Sequence, residues 1–445
     1  MKTTLNDKAL AGLLGILVLL VGIGPAAAVP EMMADYGDQM AWRGADINAM
    51  GGTGVAVYRG ALNNVYNPAM LTAGPQSGRL DLSMSLDQAH EDRFQPLFDS
   101  FNSYVADAAI ASNREHYWQS GFGIVGSLPG RDAPVRVGLS LVDRYPFNYT
   151  FREEIRNPNG YPPDPGQPAR DQIIESRERE VRGTLRTLSL GVGADVDDEI
   201  AIGMAVHYGF GKREETRLSR DFFTTDGDDG YTTTTEYDMD GVSFSLGARG
   251  KISERVEIGL AWESQLNTKG DYTRSHYTAA SMSTVEETWD GSLRYPNVFR
   301  GGLVLRPRTD PRTVFTAEVE YLAFSELIDS QNPGYENPQN LQDVTDVRIG
   351  VEHMFYNGTP LRFGFRRFDS YRDPEAGCSV FTAGTDFGVG RGRVAFSVEL
   401  GKITSVRDHQ FAYPADYLGD NYVVDPQARV EDTRFRVGVG YTQYF

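Results

Sequence analysis

The stretch Ile200–Phe210, with the sequence IAIGMAVHYGF, alternates regularly between two kinds of side chain. Every second residue from Ile200 onward is large and apolar, and the residues between them are alanine, glycine or histidine. Successive side chains of an extended strand point to opposite faces, so the stretch predicts a strand with one apolar face and one face of small residues. The pattern does not say what the apolar face contacts.

The same alternation recurs along most of the chain, for example in Leu80–Leu86, Val394–Leu400 and Phe435–Tyr441. The opposite face of these strands carries small residues and many charges, such as Glu318 and Glu399. In a soluble sandwich the apolar faces would meet in a core, whereas in an outer-membrane barrel they face lipid and the charged faces line the lumen. The strands alone leave both architectures open.

The connections between strands favour the barrel, because short and long connections alternate along the chain. Short turns include Asp195–Glu199 and Gly388–Arg391. The long connections are expected to be outer loops and cover 87–115, 152–180, 217–235, 268–285, 323–344 and 404–430. Segregated loop lengths and an even strand number are typical of bacterial outer-membrane barrels. We therefore predict an all-β fold, a 14-stranded antiparallel transmembrane barrel formed by residues 78–445.

Residues 1–28 have the features of a signal peptide. Lys2 and Lys8 precede the apolar run Ala9–Gly24, and Ala26–Ala28 provides small residues for cleavage. At the other end, Tyr441 and Phe445 resemble the aromatic signal that the outer-membrane assembly machinery reads on a last strand. These features predict export and location in the bacterial outer membrane, with its lipid, its lipopolysaccharide and that machinery as partners.

Composition and motifs exclude several other functions. The net charge of −18 argues against nucleic acid as a partner. The single cysteine and the scattered histidines provide no metal-binding spacing, so no metal and no cofactor are expected. Gly-x-Ser-x-Gly, His-Glu-x-x-His and phosphate-loop motifs are absent from the sequence, and the protein is not expected to be an enzyme.

A glycine-rich segment lies between the leader and the first strand. Gly51, Gly52 and Gly54 allow close backbone approach, and Asn67-Pro68 favours a turn over a continuing helix. A flexible linker is one interpretation, but the apolar residues in this segment argue against it. The preferred interpretation assigns residues 29–77 to a compact plug inside the barrel.

One predicted outer loop has a helical rather than a two-residue period. Phe94, Leu97, Phe98, Phe101 and Tyr104 recur at spacings of three and four, which predicts an amphipathic helix over Phe94–Ser112. Its apolar face would either pack on neighbouring loops or form part of an apolar groove that captures an incoming ligand.

The glycine-rich run of residues 44–57, GADINAMGGTGVAV, and the run Tyr66–Leu71, YNPAML, resemble the long-chain fatty-acid transporter family of the FadL and TodX type. The predicted strand number, the leader and the terminal aromatic residue extend this resemblance over the whole chain. By the resemblance, Asn67, Pro68 and Ala69 take the place of the family's plug motif. The family's basic lumen groups hold the carboxylate of the ligand.

The resemblance implies passive transport of long-chain fatty acids or aromatic hydrocarbons. The ligand would be caught at the outer loops, enter the lumen and leave sideways through the wall after the plug rearranges. A different interpretation is a plugged barrel that serves as a scaffold or shuttle in secretion or envelope assembly. A polar porin is disfavoured by the plug.

Charged residues that are expected to face the lumen have two interpretations. They form either a mutually neutralising ladder that rigidifies the barrel, or a set in which one uncompensated arginine binds the ligand's carboxylate. The candidates are Arg348, Glu352, Arg362, Arg366, Arg434 and Arg436.

Overall fold

A computed structural model describes eleven stretches of the chain. They are residues 34–38, 43–75, 77–98, 103–128, 135–156, 172–222, 230–330, 341–372, 376–408, 410–411 and 427–445. The predicted signal peptide lies outside these residues. Within them, no helix is both long enough and apolar enough to span a bilayer.

The described residues form one large sheet of eighteen strand segments. In chain order they are β1 (Arg79–Phe98), β2 (Tyr104–Ser127), β3 (Val135–Pro146), β4 (Tyr149–Arg156), β5 (Ile173–Asp195), β6 (Ile200–Asp221), β7 (Tyr231–Ser253), β8 (Val256–Glu263), β9 (Leu266–Thr278), β10 (Ser283–Tyr295), β11 (Val298–Leu305), β12 (Thr313–Leu322), β13 (Ile328–Asp329), β14 (Val344–Met354), β15 (Pro360–Phe368), β16 (Cys378–Val389), β17 (Gly392–Asp408) and β18 (Gln427–Tyr444).

These segments form fourteen wall strands, because β3–β4, β8–β9, β10–β11 and β12–β13 are each one wall strand interrupted by a short break. All neighbouring strands are antiparallel, and β1 pairs with both β2 and β18, which closes the sheet. The predicted fourteen-stranded barrel is confirmed. Because the sheet is closed, β1 and β18 have no open edge.

The apolar face of the strands points outward. Leu190, Met204 and Phe381 are 54%, 62% and 63% exposed, although they are large and apolar. The intervening residues are buried, including Ser189 and Arg348, both at 0%. A soluble sandwich would bury the first set and expose the second. This arrangement is that of a barrel whose outer surface contacts lipid.

The predicted amphipathic helix over Phe94–Ser112 is wrong. β1 continues to Phe98, β2 begins at Tyr104, and the two strands pair across this region from Phe98↔Tyr104 inward. β1 also pairs with β18 there, up to Phe94↔Arg429. A helix here would leave the backbone N–H and C=O groups of the adjacent strands without hydrogen-bond partners. The hydrogen bonds of the ladder therefore favour a strand over the helix that the apolar spacing predicts.

The strands also extend into the six ranges that were expected to be loops. β4 reaches Arg156, β6 reaches Asp221 and β17 reaches Asp408, so the strand boundaries fall inside the ranges 152–180, 217–235 and 404–430. The range 268–285 is almost entirely a hairpin, with only residues 279–282 between β9 and β10. The range 323–344 holds a 3₁₀ turn, Phe324–Glu326, followed by β13. In these extensions the backbone N–H and C=O groups form hydrogen bonds with the neighbouring strand. The extensions lie beyond the bilayer, so they do not need an apolar outer face.

Candidate functional site

The N-terminal segment, residues 43–75, packs against the inner face of the barrel. It contains a short helix, α1 (Ala45–Asn48), and two 3₁₀ helices, Gly60–Val65 and Pro68–Ala73. The 3₁₀ helices contact the first half of the wall, from β1 to β7, and α1 contacts β16, β17 and β18 on the other side of the ring. The segment therefore reaches across the lumen.

Asn67 fixes the turn between the two 3₁₀ helices. Its side-chain oxygen accepts a hydrogen bond from the backbone N–H of Ala69 at 3.1 Å and so caps the second helix. Its amide nitrogen donates to the carbonyl of Val55 at 2.8 Å and to that of Ala248 on β7 at 3.0 Å. Pro68 occupies the first helical position, where its missing N–H leaves no bond unmade.

Glycines on the wall make room for this segment. A Cβ at Gly203 would lie 2.4 Å from the backbone nitrogen of Ala69, and one at Gly247 would lie 2.0 Å from the side-chain oxygen of Asn67. On the opposite side, Gly51 has a φ of +70° and donates its N–H to Thr382 Oγ1 at 3.0 Å. The small residues that alternate with large apolar ones along the strands therefore lie where the backbone of the wall contacts the backbone of the segment.

Polar and charged contacts join the same segment to the wall. Glu318 accepts hydrogen bonds from the backbone N–H groups of Gly54 and Val55 at 2.7 and 2.9 Å. Arg43 forms an ion pair with Glu320 at 3.0 Å, and Asn48 donates to Glu399. Buried groups of this kind require partners, so these contacts fix how the segment sits.

The charged lumen candidates lie on the inner face, and all six form ion pairs. Arg348 contacts Glu318, Glu320 and Asp346 at 2.7 to 2.9 Å, and Arg366 contacts the same Asp346 at 3.2 Å. The other pairs are Glu352–Arg362 (2.5 Å), Arg362–Asp386 (2.7 Å), Arg434–Asp38 (2.6 Å), Arg436–Asp87 (2.5 Å) and Arg436–Glu399 (3.4 Å). Each of the six candidates therefore has at least one oppositely charged partner on the inner face.

An interior aromatic cluster lies between the N-terminal segment and the long-loop end of the barrel. Tyr237 and Tyr272 stack at 3.9 Å, and Trp289 continues the stack at 5.6 Å from Tyr272. Tyr145 and Tyr295 form a second stack at 4.1 Å. Further buried members are Tyr36, Phe147, Tyr149, Phe151, Phe324, Tyr371 and Phe411. These rings make an apolar zone inside a wall that is otherwise lined with charges.

This cluster was not predicted from the sequence, although the sequence contains a signal for it. Tyr272 and several other members fall in ranges that were interpreted as loops, where the two-residue period was not followed. Tyr149 and Phe151 alternate with polar residues on β4, and Tyr237 and Met239 do so on β7. Aromatic residues at every second position on the side of the charged face would have indicated an inward apolar patch.

The wall is interrupted between β2 and the β3–β4 pair. β2 pairs with β3 only from Gly121↔Val142 to Ser127↔Arg136, and between β2 and β4 the described residues form no ladder. A register shift lies between Asp143 and Tyr145 on the β5 side, and Pro146 has no N–H to donate. The break lies beside Tyr117 and Tyr145, which pack on the interior aromatic cluster.

The carboxylate of Asp143 bridges the start of this break. It accepts hydrogen bonds from the backbone N–H and the hydroxyl of Ser120 on β2, at 2.6 and 3.0 Å. Its other oxygen accepts one from Arg186 on β5 at 3.0 Å. One side chain thus connects three wall strands where the ladder stops.

Two cavities adjoin these features. A groove of about 1060 Å³ on the outer wall is lined mainly by apolar residues and also by Asp143 and Arg186; the apolar ones include Leu82, Met84, Trp118, Phe122, Leu141 and Phe435. A polar cavity of about 600 Å³ lies at the long-loop end, above the aromatic stack, and Arg213, Glu215, Arg274 and His276 are among its lining residues.

Asp35, which precedes the N-terminal segment, forms an ion cluster at this end of the lumen. Burial alone would raise the pKa of its carboxyl group, but Arg372, Arg179 and Arg213 together lower the pKa below its usual value. Arg179 contacts it at 2.8 Å, and Arg372 also forms an ion pair with it.

The remaining predicted residues are dispersed. Phe94 is half-buried beneath the guanidinium of Arg429, 4.7 Å from its ring centre, and Tyr104 is exposed. Leu97 and Phe98 are the last two residues of β1, and Phe101 lies outside the described residues. No group of three or more potential metal ligands occurs in the part of the chain that the structure describes.

Comparisons with known proteins give a match in structure but none in sequence. No protein-family model and no curated protein sequence matches the chain. The solved toluene transporter TodX of P. putida matches with a TM-score of 0.61 at 15% identity, over 92% of this chain and 99% of its own. A FadL homologue from Pseudomonas aeruginosa matches with a TM-score of 0.63 at 12% identity, over 90% and 98%.

The toluene transporter TbuX of Ralstonia pickettii gives a similar result, with a TM-score of 0.58 at 15% identity over 92% and 99% of the two chains. The likeness covers nearly the full length of every one of these proteins. The resemblance to FadL- and TodX-type barrels is therefore confirmed for the fold, which is that of an outer-membrane β-barrel.

Proposed function

We propose that this protein is an outer-membrane channel that passes apolar small molecules, such as aromatic hydrocarbons or long-chain fatty acids, by passive diffusion. The interior aromatic cluster carries this proposal. A polar porin or a purely structural barrel has no need of a large apolar zone in its lumen, because such a zone excludes water and ions. The names of the structural neighbours, which include toluene transporters and a FadL homologue, support the same class of ligand.

The N-terminal segment acts as the plug of this channel. Its contacts with the wall on both sides of the ring support this role, as does the burial of Gly51, Gly52, Gly54, Asn67, Pro68 and Ala69. A ligand that reaches the aromatic cluster meets this segment next. Passage therefore requires the segment to move or a way around it.

The proposed way around is a lateral exit at the break beside β2. At this break the side chain of Asp143 forms hydrogen bonds with Ser120 and Arg186 in place of the backbone ladder. These side-chain hydrogen bonds can break while the paired strands on both sides stay paired. The apolar groove outside and the aromatic cluster inside lie on the two sides of this break. An apolar ligand moving between them stays out of water throughout, and its transfer needs no energy source.

At the outer end, Phe94 and Tyr104 remain candidates for capturing the ligand, together with Leu97, Phe98 and Phe101. The exposed apolar band of the wall contacts outer-membrane lipid, and lipopolysaccharide surrounds the strand extensions. The terminal strand ending at Phe445 is the proposed contact with the assembly machinery.

Transport is tested by uptake of labelled toluene and oleate into cells that lack the gene and are complemented with variants at matched amounts of barrel. We expect Tyr272→Ala, which opens the aromatic stack, to lower toluene uptake about fivefold, since a stacked ring contributes roughly 1 kcal/mol beyond its buried area. Tyr208→Ala is the matched control, because Tyr208 is an aromatic residue on the lipid side. Equal uptake by both variants and by cells without the gene would refute the proposal.

The lateral exit is tested by locking β2 to β3. Ser120 and Asp143 lie across from each other, one step beyond the Gly121↔Val142 pair, so cysteines at both positions are placed to form a disulfide. Cys378 is buried, and replacing it with alanine removes the native thiol. We expect oxidation to abolish uptake and reduction to restore it. Undiminished uptake through the oxidised barrel would place the exit elsewhere.

The alternative function is a plugged barrel that serves as a scaffold or shuttle for secretion or envelope assembly. The charge network on the inner face is compatible with it, because it fixes the plug to the wall. In that case deletion leaves toluene and oleate uptake unchanged, and purification of the barrel from envelope extracts yields a stoichiometric protein partner.

A further inference from the structure

Arg136 is a buried arginine at the short-turn end of the barrel. It is the second residue of β3, opposite Ser127 on β2 and Gly193 on β5, and only 1% of its surface is exposed. Its side chain points inward, beneath the linker that joins the N-terminal segment to β1. It is thus far from the aromatic cluster and from the break beside β2.

The guanidinium of Arg136 has few partners. Its Nη2 donates to the carbonyl oxygen of Ser77 at 3.1 Å, and its Nε and Nη1 have no hydrogen-bond partner in the described part of the chain. The described residues also place no carboxylate within 4.0 Å of it, whereas each of the other buried arginines among them has one at that distance. Those are Arg43, Arg59, Arg79, Arg93, Arg177, Arg179, Arg213, Arg249, Arg300, Arg348, Arg362, Arg366, Arg434 and Arg436.

Tyr58 of the N-terminal segment supplies a second unused donor at this place. Its hydroxyl oxygen is buried and makes no hydrogen bond within the described residues. Its ring lies against Gly74, where a Cβ would come within 2.0 Å of the ring, and it has Arg136 and Arg79 at 5.9 and 5.3 Å. Arg79 is neutralised by Asp81 at 2.8 Å, so the unbalanced positive charge belongs to Arg136.

A buried cation with unused N–H groups is unfavourable unless an anion accompanies it. The Nε and Nη1 groups of Arg136 can only donate hydrogen bonds, and the phenolic O–H of Tyr58 can donate one as well, so an anionic oxygen is the partner that these groups lack. We infer that Arg136 and Tyr58 form a binding site for the carboxylate of an amphiphilic organic acid. The inference rests on the proposed transport function and assigns the charged end group of the acids among its ligands to these two residues at the short-turn end.

The site also predicts how that end group is held during passage. Ser77 accepts a hydrogen bond from Nη2 alone, so the linker leaves Nε and Nη1 available to a carboxylate. The acid is then anchored at the short-turn end while its apolar chain extends along the lumen. A neutral hydrocarbon has no group for this site and bypasses it.

The experiment compares binding of oleate and of methyl oleate to the purified full-length barrel in lipid nanodiscs, by calorimetry. The two ligands share the apolar chain and differ in the charge of the end group. We expect Arg136→Met to weaken oleate binding about tenfold, the effect of one or two charge-assisted hydrogen bonds, and to leave methyl oleate unchanged. Arg136→Lys retains the charge and should keep part of the selectivity, and Tyr58→Phe should weaken oleate by a smaller factor.

Arg249→Met is the matched control. Arg249 is also a buried inward arginine near the short-turn end, but Asp195 pairs with it at 2.9 Å. We expect this variant to bind both ligands as the wild type does, because Asp195 already neutralises the charge of Arg249 and leaves no net cation for a carboxylate.

Two results would overturn the inference. Equal loss of oleate and methyl oleate binding in Arg136→Met would show that Arg136 only holds the linker in place. Wild-type protein that binds oleate no better than methyl oleate would show that no carboxylate site exists. Toluene uptake separates this from the transport proposal, since Arg136→Met should carry toluene normally even if the carboxylate site is absent.

Discussion

Asn67 connects the N-terminal segment both to itself and to the barrel wall. In Asn67→Ala the segment loses three hydrogen bonds, so the carbonyls of Val55 and Ala248 and the N–H of Ala69 each lose a partner. We expect the free energy of unfolding to fall by about 2–4 kcal/mol, as measured by guanidinium titration in detergent. We also expect faster proteolysis of the segment.

Asn64→Ala provides the comparison for this change. Asn64 is equally buried in the same segment, but it makes only one long hydrogen bond, to Ser189 at 3.5 Å. A loss as large as that of Asn67→Ala would show that side-chain packing, and not the hydrogen bonds of Asn67, holds the turn.

Asp35 makes the long-loop end of the lumen sensitive to acid. Arg372, Arg179 and Arg213 hold the pKa of Asp35 below the value of about 4 that an unfolded aspartate has. The stabilisation is therefore present above about pH 4 and is lost as the pH falls through the lower pKa of the folded state. We expect the melting temperature to drop between pH 5 and pH 3, and to drop less in Asp35→Asn.

The control for this pH series is Asp198→Asn, a change at an exposed turn residue. It should leave the acid-induced drop of the melting temperature as large as in the wild type. If Asp35→Asn behaves in the same way, other carboxylates of the lumen govern the acid sensitivity.

β6 carries a glycine whose replacement directly opposes the N-terminal segment. In Gly203→Ala the new methyl group would lie 2.4 Å from the backbone of Ala69, and backbone on both sides prevents relief. We expect the barrel to form but the segment to be displaced, so that ion conductance in planar bilayers rises severalfold. Gly126→Ala, where nothing lies within 4 Å of the added Cβ, should conduct as the wild type does. Equal conductance of the two variants would contradict the close fit.

The conformation of the segment from Phe94 onward is set by strand pairing and not by the periodicity of its apolar residues. Phe94, Leu97 and Phe101 have a helical spacing, yet β18 and β2 offer ladders on both sides of β1 that only a strand can use. Those partners lie more than three hundred residues away in one direction, so no local pattern contains them. The break in β3 has a local trace in Tyr145-Pro146, because proline cannot join a ladder, but its position opposite Ser120 follows from register alone.

The site was predictable to the extent that its residues follow the strand pattern. Arg348, Arg362 and Arg436 were placed in the lumen because they alternate with outward apolar residues. Their partners were not predictable, since an ion pair such as Arg436–Asp87 depends on which strands meet after closure. The buried Arg136 was overlooked because its sequence context resembles that of any inward charge.

The whole molecule is apolar on the outside, and this reverses the usual effect of surface substitutions. Leu190 is 54% exposed, yet Leu190→Arg should lower the free energy of unfolding in lipid bilayers by about 2–4 kcal/mol, the cost of a charge on the lipid face. Val196→Arg, in the β5–β6 turn and 61% exposed, should change it by less than about 1 kcal/mol. A soluble protein would tolerate both changes alike.

The joint between β1 and β18 has a consequence for how the chain is threaded. Gly78 and Phe445 exchange two backbone hydrogen bonds, at 2.9 and 3.1 Å, and the phenyl ring of Phe445 lies over Gly78. The wall is thus a ring in which the first and last strands are ordinary neighbours. A circular permutant that lacks the N-terminal segment, joins Phe445 to Gly78 through a short turn and opens the β16–β17 turn would keep every strand pair of the wall. The order of the strands in the gene is then one of several that encode the same ring.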